Sequence, residues 1–177
     1  MKGSENPYAL HSELAEAMIS NVLIVRENDK LQSTLDVIED IESRWKDIEC
    51  VDTQDWSNPV PSFVNQLWNM IQLSKIITMG ALKRDEFRGS HYKPEFDLNQ
   101  PDDFDPADYL EYEEQKANGG VHKDQFAPSH VDYMERFEKN NEDWLKSSIA
   151  TYNNGKHAVD FESVDTSLIA PRPRKYD

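Results

Sequence analysis

The sequence predicts an all-α fold. A three-helix, up-and-down bundle of the spectrin-repeat type is expected over residues 6–94, and a long, mostly irregular extension over residues 95–177. Apolar residues recur every three to four positions in three consecutive stretches before residue 84, which is the period of one helical face. The third stretch is apolar on more than one face, as expected of a helix packed between partners. After Pro94 the sequence becomes acidic and proline-punctuated, which is typical of irregular structure.

The first two predicted helices each have a start signal and one apolar face. Asn6 is a favourable cap, and Pro7 suits the first helical position. The apolar face of the first helix consists of Leu10, Leu14, Met18, Val22 and Val25. A polar break follows, in which Asn28 or Asp29 can cap the second helix. The apolar face of the second helix consists of Leu31, Leu35, Ile38, Ile41, Trp45 and Ile48. Its other face is rich in carboxylates and is predicted to be solvated.

The third predicted helix starts at Ser57 or Asn58, ahead of Pro59, and carries more apolar surface than two partners need. Its apolar residues are Phe63, Val64, Leu67, Trp68, Met70, Ile71, Leu73, Ile76, Ile77, Met79 and Leu82. The excess predicts a contact with the downstream segment or with a domain outside this chain. The predicted core residues of the bundle are Trp45, Leu67, Met70, Ile71 and Ile77.

The extension is predicted to contain one short helix near residues 130–149 and an extended C-terminal tail. Asn118-Gly119-Gly120 is expected to be a flexible turn. Aromatic residues recur throughout the extension, whereas disordered tails are poor in them. We therefore expect the extension to lie along the bundle or along a neighbour.

Composition excludes several classes of function. A formal net charge of −15 disfavours nucleic acids and unaided binding to an anionic membrane surface. The longest aliphatic run, residues 22–25, is far too short to insert into a bilayer. Cys50 is the only cysteine, which excludes an intrachain disulfide and an all-thiolate metal or iron–sulfur site. A reducing cytosolic setting is the expectation.

Motifs for cofactors, metals and nucleophilic catalysis are missing from this sequence. None of the six glycines forms a dinucleotide fingerprint or a phosphate loop. The acidic run at residues 102–105 lacks the glycine and glutamate spacing of a calcium loop. The five histidines are scattered without the spacing of a zinc site. No catalytic, cofactor-binding or metal-binding residue is therefore predicted.

The densest group of functional side chains is the run DEFRGSHYKPEF at residues 85–96. Arg88, His91 and Lys93 could clamp a carboxylate substrate. The same run also has the composition of a helix end, because cations complement the C-terminal helix dipole and Gly89 suits a left-handed terminating residue. The second interpretation predicts a docking junction, and we favour it over catalysis.

Part of this run, EFRGSHY at residues 86–92, resembles the Glu-Ser-Arg-Gly-Ala-His-Tyr signature of succinate dehydrogenase and fumarate reductase flavoproteins. NPYALHSELAEAM, VRENDKL and QLWNMIQLSKIITMGALKRDE resemble the three helices of their C-terminal region. NNEDWLKSSIATY resembles a later segment, and VDTSLIAPRPRKYD is similar to the end of the Gram-positive type. Phe87 and Ser90 depart from the signature, and residues 98–135 look like an insertion.

The resemblance implies that the chain is the C-terminal portion of an FAD-dependent subunit that oxidises succinate to fumarate. The FAD and capping domains would lie upstream, and a membrane anchor and an iron–sulfur subunit would be partners. FAD would belong to the parent subunit, and this portion would hold no cofactor and be inactive alone. Its place would be the cytoplasm, at the inner face of the cell membrane. Arg88, Gly89, His91 and Tyr92 would form a structural docking junction.

Two alternatives follow from the residues themselves. The chain could be a stand-alone acidic three-helix interaction module, with the apolar surplus of its third helix covered by a protein partner. It could also be a free-standing hydrolase that uses His91, although the sequence has no Ser, Thr or Cys in a position that suggests a catalytic nucleophile.

Overall fold

A computed structural model describes residues 3–52, 54 and 56–175. The described residues are mostly helical, with one small two-stranded sheet. The elements are α1 (Pro7–Asn21), α2 (Asn28–Arg44), α3 (Val60–Lys83), α4 (Pro106–Ala117), α5 (Pro128–Trp144), β1 (Lys146–Asn153) and β2 (Lys156–Ser163). They fall into two compact units. Unit 1 comprises residues 3–96 and 148–160, and unit 2 comprises residues 97–147 and 161–175.

The start of α1 follows the predicted capping chemistry, whereas α3 begins at Val60 and its cap residue is Pro59, which makes no side-chain cap bond. The side chain of Asn6 accepts hydrogen bonds from the backbone N–H groups of Tyr8 and Ala9, at 2.9 and 3.4 Å. Asn58 Oδ1 accepts a bond from the backbone N–H of Val60 at 3.0 Å. In both helices an amide side chain therefore satisfies N–H groups that have no partner inside the helix.

The predicted cap of α2 is wrong. The helix begins at Asn28 itself, and neither this side chain nor that of Glu27 makes a capping hydrogen bond. Asn28 Nδ2 instead donates to Asp85 Oδ1 at 3.1 Å. The Asn28 side chain thus binds a residue 57 positions later in the chain. Local sequence cannot reveal such a contact.

The core of unit 1 lies between α1, α2 and α3, each of which contacts the other two. Its buried residues are Leu10, Leu14, Ile38, Ile41, Ile48, Val64, Leu67 and Ile71. Neighbouring helices run in opposite directions. Arg44 at the end of α2 binds Glu5 just before α1, and Asn28 at the start of α2 binds Asp85 just after α3.

Two of the five predicted core residues are wrong. Leu67 and Ile71 are fully buried, and Trp45 is partly buried against the core, but Met70 is 37% exposed and Ile77 is 50% exposed. The buried positions of α3 form one stripe: Val64, Leu67, Ile71, Ser74, Thr78 and Ala81. Two of these buried residues, Ser74 and Thr78, carry hydroxyl groups. A prediction based on apolar residues alone therefore chose the wrong buried face for α3. Thr78 remains satisfied because its hydroxyl donates to the Ser74 carbonyl at 2.8 Å.

The prediction of a mostly irregular extension is wrong. Residues 97–147 contain α4 and α5, whose core consists of Phe104, Tyr109, Tyr112, Val131, Tyr133 and Met134. The prolines were misread as breakers. Pro106 and Pro128 each occupy the first helical position, where the missing N–H costs nothing. The helix expected near residues 130–149 spans Pro128–Trp144.

The prediction of an all-α fold is also wrong, because β1 and β2 form a hairpin. Asn154 and Gly155 connect the strands with φ values of +51° and +78°. Positive φ at both central residues is the property of a type I′ turn, and Asn-Gly is its preferred sequence. This dipeptide was the available signal, and the sequence-based prediction did not use it.

Candidate functional site

The end of α3 lies at Lys83, five residues before Arg88, so the helix end predicted within residues 85–96 is wrong. Arg84 already has an extended backbone, with φ −100° and ψ 101°. The buried Lys93 ammonium donates to the Leu82 carbonyl at 3.0 Å, and this carbonyl lies in the last turn. A lysine beyond the helix therefore supplies the donor that a glycine-containing C-terminal motif would otherwise provide.

Arg88 and His91 face each other across a two-residue turn. Their backbones exchange hydrogen bonds of 3.0 Å, from the Arg88 N–H, and 3.1 Å, from the His91 N–H. Gly89 is the first central residue and has φ +59°, as in a type II′ turn. The left-handed conformation predicted for Gly89 is confirmed, but it reverses a hairpin instead of terminating a helix.

His91 links two segments that are distant in sequence. Its Nδ1 lies 2.6 Å from Arg26 Nη1, and its Nε2 lies 2.8 Å from the Arg84 carbonyl oxygen. Because guanidinium only donates and a carbonyl only accepts, these contacts fit a neutral imidazole with its proton on Nε2. Burial lowers the pKa of His91 and the charges of Arg26 and Lys93 lower it further, although the bond to the Arg84 carbonyl opposes this. Both ring nitrogens are thus used to connect parts of the fold.

Glu86 is fully buried and pairs with two arginines. One carboxylate oxygen binds Arg84 Nη1, and the other accepts a bond from Arg88 Nε at 2.8 Å. Charged groups of this kind are tolerated inside a protein only when paired and hydrogen-bonded. Sequence reasoning missed Glu86 and Arg84. The available signal was the glutamate that opens the signature.

Lys93 is also buried, at 1% exposure. Besides the Leu82 carbonyl, its ammonium binds Asp85 Oδ1 at 2.9 Å and lies 5.6 Å from the centre of the Phe96 ring. Burial alone would raise the pKa of Asp85, but hydrogen bonds from Lys93 and Asn28 outweigh it and lower that pKa. Lys93 is therefore engaged in interior contacts with Leu82 and Asp85.

An apolar surface adjoins this network. The rings of Phe87 and Tyr92 lie 4.7 Å apart, and the Arg26 N–H donates to the Tyr92 carbonyl at 2.9 Å. The apolar side chains Leu23, Ile24, Val25 and Phe87 are between 38% and 66% exposed, and we call them the junction patch. The first three directly precede Arg26 in the sequence, and Phe87 lies between Glu86 and Arg88, all of which belong to the charged network.

Within residues 3–52, 54 and 56–175, no group of three or more His, Cys, Asp or Glu side chains could hold a metal ion. The described helices include none that is both long enough and apolar enough to cross a membrane.

Comparison with known proteins gives this site its context. The sequence model of the family described as fumarate reductase flavoprotein C-term matches residues 11–176. That match covers more than half of the chain. The chain belongs to this family.

Individual relatives agree with this assignment. The succinate dehydrogenase flavoprotein subunit of Bacillus subtilis is 39% identical over 99% of this chain, which covers 24% of that subunit. The chain thus spans about a quarter of the length of this curated relative. The fumarate reductase flavoprotein subunit of Helicobacter pylori is 30% identical over 54% of the chain and 13% of its own length.

Solved structures show the same family fold. The Mycobacterium smegmatis Sdh1 complex in its apo form is 32% identical over 52% of this chain and 15% of its own, with a TM-score of 0.50. A quinol–fumarate reductase with menaquinol molecules matches 96% of this chain and 23% of its own, with a TM-score of 0.66. At 18% identity, the second match shows the fold alone. Family membership favours the flavoprotein domain over the stand-alone module and the hydrolase.

Proposed function

We propose that this chain is the structural and docking domain of an FAD-dependent subunit that interconverts succinate and fumarate. One observation carries the proposal. The signature residues Arg88 and His91 are engaged in an internal network beside an exposed apolar surface, and both nitrogens of His91 are occupied. A general acid or base needs a ring nitrogen within reach of substrate. Protein interfaces combine an apolar centre with polar groups around it, and the exposed junction patch next to this charged network supports a docking role.

The docking part in this proposal is the three-helix, up-and-down bundle of residues 6–94, similar to a spectrin repeat. In this proposal an acidic extension follows the bundle in sequence from residue 95, although residues 148–160 of it belong to unit 1. The shared core and the opposite directions of neighbouring helices support the bundle. The exposed side chains Met70, Leu73 and Ile77 leave a further apolar stripe on α3 for contacts outside the chain.

The partners in this proposal follow from the junction patch. The FAD and capping domains upstream in the same subunit would cover Leu23, Ile24, Val25 and Phe87. A membrane anchor and an iron–sulfur subunit would complete the complex, which would lie in the cytoplasm at the inner face of the cell membrane. FAD would reside in the upstream domain. The relative in B. subtilis is a succinate dehydrogenase flavoprotein subunit, and the M. smegmatis match is a complex.

Substituting Arg88 by Lys and His91 by Ala in the full-length subunit tests the docking role. Lysine keeps the charge of Arg88 but loses the planar fork, and alanine removes both connections of His91. We expect flavin content or the association between subunits to fall, while correctly assembled enzyme keeps a near-normal turnover per flavin. The measurements are absorbance of purified complex, size-exclusion profile and succinate-dependent dye reduction.

Matched controls are Arg136→Lys and His122→Ala, since both residues have exposed side chains outside the junction. These variants should assemble normally. Intact assembly with a turnover per flavin lowered by about a hundredfold or more, as for a lost general acid, would show that the junction residues are catalytic.

The isolated 177-residue chain is expected to bind no flavin, because its sequence has no glycine turn that could cradle a pyrophosphate. Purified chain incubated with FAD and dialysed should be colourless and should not reduce dye with succinate. The full-length subunit, treated in parallel, is the positive control. A chain that retains FAD through dialysis contradicts this prediction.

A further inference from the structure

His130 lies between two carboxylates where α4 and α5 begin. Its Nδ1 is 3.0 Å from Asp108 Oδ2, in the first turn of α4, and its Nε2 is 3.2 Å from Asp103 Oδ1, in the preceding loop. The residue is only 7% exposed, and its ring meets the fully buried Phe104 edge-on at 5.4 Å. The Asp103 contact is an ion-pair approach without hydrogen-bond alignment, since Nε2 has no hydrogen-bond partner.

This arrangement suits only one protonation state. A neutral imidazole carries a single N–H, and ionised carboxylates only accept. If the neutral ring donates to Asp108, Nε2 carries no proton and lies 3.2 Å from a carboxylate oxygen of Asp103, an unfavourable approach of two electron-rich atoms. The imidazolium donates to Asp108 and places a positive charge at ion-pair distance from Asp103. The positions of the two acids therefore favour the protonated ring.

Other groups around His130 act in the opposite direction. His130 stands in the first turn of α5, where the helix dipole disfavours a cation. From the C-terminal segment, Lys175 donates to the carbonyls of Asp102 and Phe104, at 3.1 and 3.4 Å. Burial also lowers the pKa of His130, but the contacts with Asp103 and Asp108 outweigh it, and the pKa is raised above its ordinary value.

We propose that His130, Asp103 and Asp108 form a proton-operated clasp that joins the N-terminal ends of α4 and α5 and loosens when the ring is deprotonated. The clasp belongs to unit 2 and goes beyond the docking role proposed for unit 1. Because the folded state holds the proton more tightly than the unfolded chain, the stabilisation is complete below the ordinary histidine pKa of about 6.5. It is lost as the pH rises through the raised pKa of His130.

The first test is a histidine titration of the 177-residue chain by NMR. His130 should titrate above the ordinary histidine pKa of about 6.5, and Asp103→Asn should lower the pKa of His130. Asp103 is a suitable position because its side chain is 80% exposed, so the change should not disturb packing. A His130 that titrates at or below about pH 6.5 overturns the proposal, even if other variants fail to fold.

The second test is amide hydrogen exchange of α4 and α5 between pH 6 and pH 8.5, corrected for intrinsic exchange rates. The opening constant of the wild-type chain should rise with pH, by about tenfold for each unit by which the pKa of His130 is raised. His130→Gln should remove this pH dependence. A wild-type chain whose opening constant is as insensitive to pH as that of His130→Gln contradicts the clasp.

Lys116→Gln is the matched control. Lys116 on α4 pairs with Glu138 on α5 at 2.8 Å, so its loss also removes a charge contact between the two helices. Lysine and glutamate side chains in general change charge far from neutral pH. This variant should raise the opening constant by a similar factor at every pH. Loss of the pH dependence in this control would assign the effect to general loosening, against the proposal.

Discussion

Truncation of Leu67 to alanine is expected to lower the free energy of unfolding of unit 1 by about 2–5 kcal/mol. Leu67 is fully buried in the core shared by α1, α2 and α3. Removing its side chain loses the transfer free energy of the buried atoms and leaves a cavity that a close-packed interior cannot fill. Hydrogen exchange of α3 amides, with urea denaturation in parallel, measures the loss.

Leu73→Ala provides the control, because it makes the same chemical change six residues later on the same helix. Leu73 is 59% exposed, so its truncation should cost less than about 0.5 kcal/mol, as for most surface substitutions. Similar losses for the two variants would mean that the buried stripe through Leu67, Ile71 and Ser74 does not describe the packed face of α3.

Replacement of Glu86 by alanine is the other change with a large expected effect. Its carboxylate is fully buried between Arg84 and Arg88. Removing one member of a buried ion pair typically costs about 3–5 kcal/mol, because the remaining charge loses its compensation. We expect the segment after α3 to open before the helices do. Hydrogen exchange of residues 84–93 measures this opening in the 177-residue chain.

Glu39→Ala is the corresponding control on α2. Glu39 pairs with Lys75 at 3.3 Å, but its side chain is 63% exposed, so the pair should contribute about 0–1 kcal/mol. Glu86→Gln separates charge from shape, since it keeps the side-chain volume and one acceptor oxygen. If Glu86→Ala and Glu39→Ala lower the free energy of unfolding equally, the buried pairs of Glu86 with Arg84 and Arg88 do not stabilise this segment.

The signature EFRGSHY contains most of the junction residues, but only the structure shows which partners they contact. The left-handed Gly89 was predictable, since a glycine between two polar residues suits a turn. Glu86 was not predicted as a site residue, because nothing local indicates that a glutamate beside two arginines is fully buried. One of the two partners of His91 is Arg26, 65 residues away in the sequence. The docking role of Arg88, Gly89, His91 and Tyr92 stays a prediction until the full-length variants are measured.

Local sequence patterns were sufficient to predict α1, α2 and α3, the cap at Asn6, and the burial of Leu67 and Ile71. The family was indicated by the resemblance of longer motifs and is shown by the match over residues 11–176. Helical periodicity and capping depend on residues only a few positions apart, so a short stretch of sequence contains both signals. The folded chain was needed to show where α3 ends and which of its faces is buried. It also showed that the aromatic extension builds α4, α5 and a hairpin. These outcomes depend on contacts between residues that are distant in sequence, and such contacts form only when the chain has folded. Examples are the hydrogen bond from Lys93 to the Leu82 carbonyl and the hydrogen bond between His130 and Asp108.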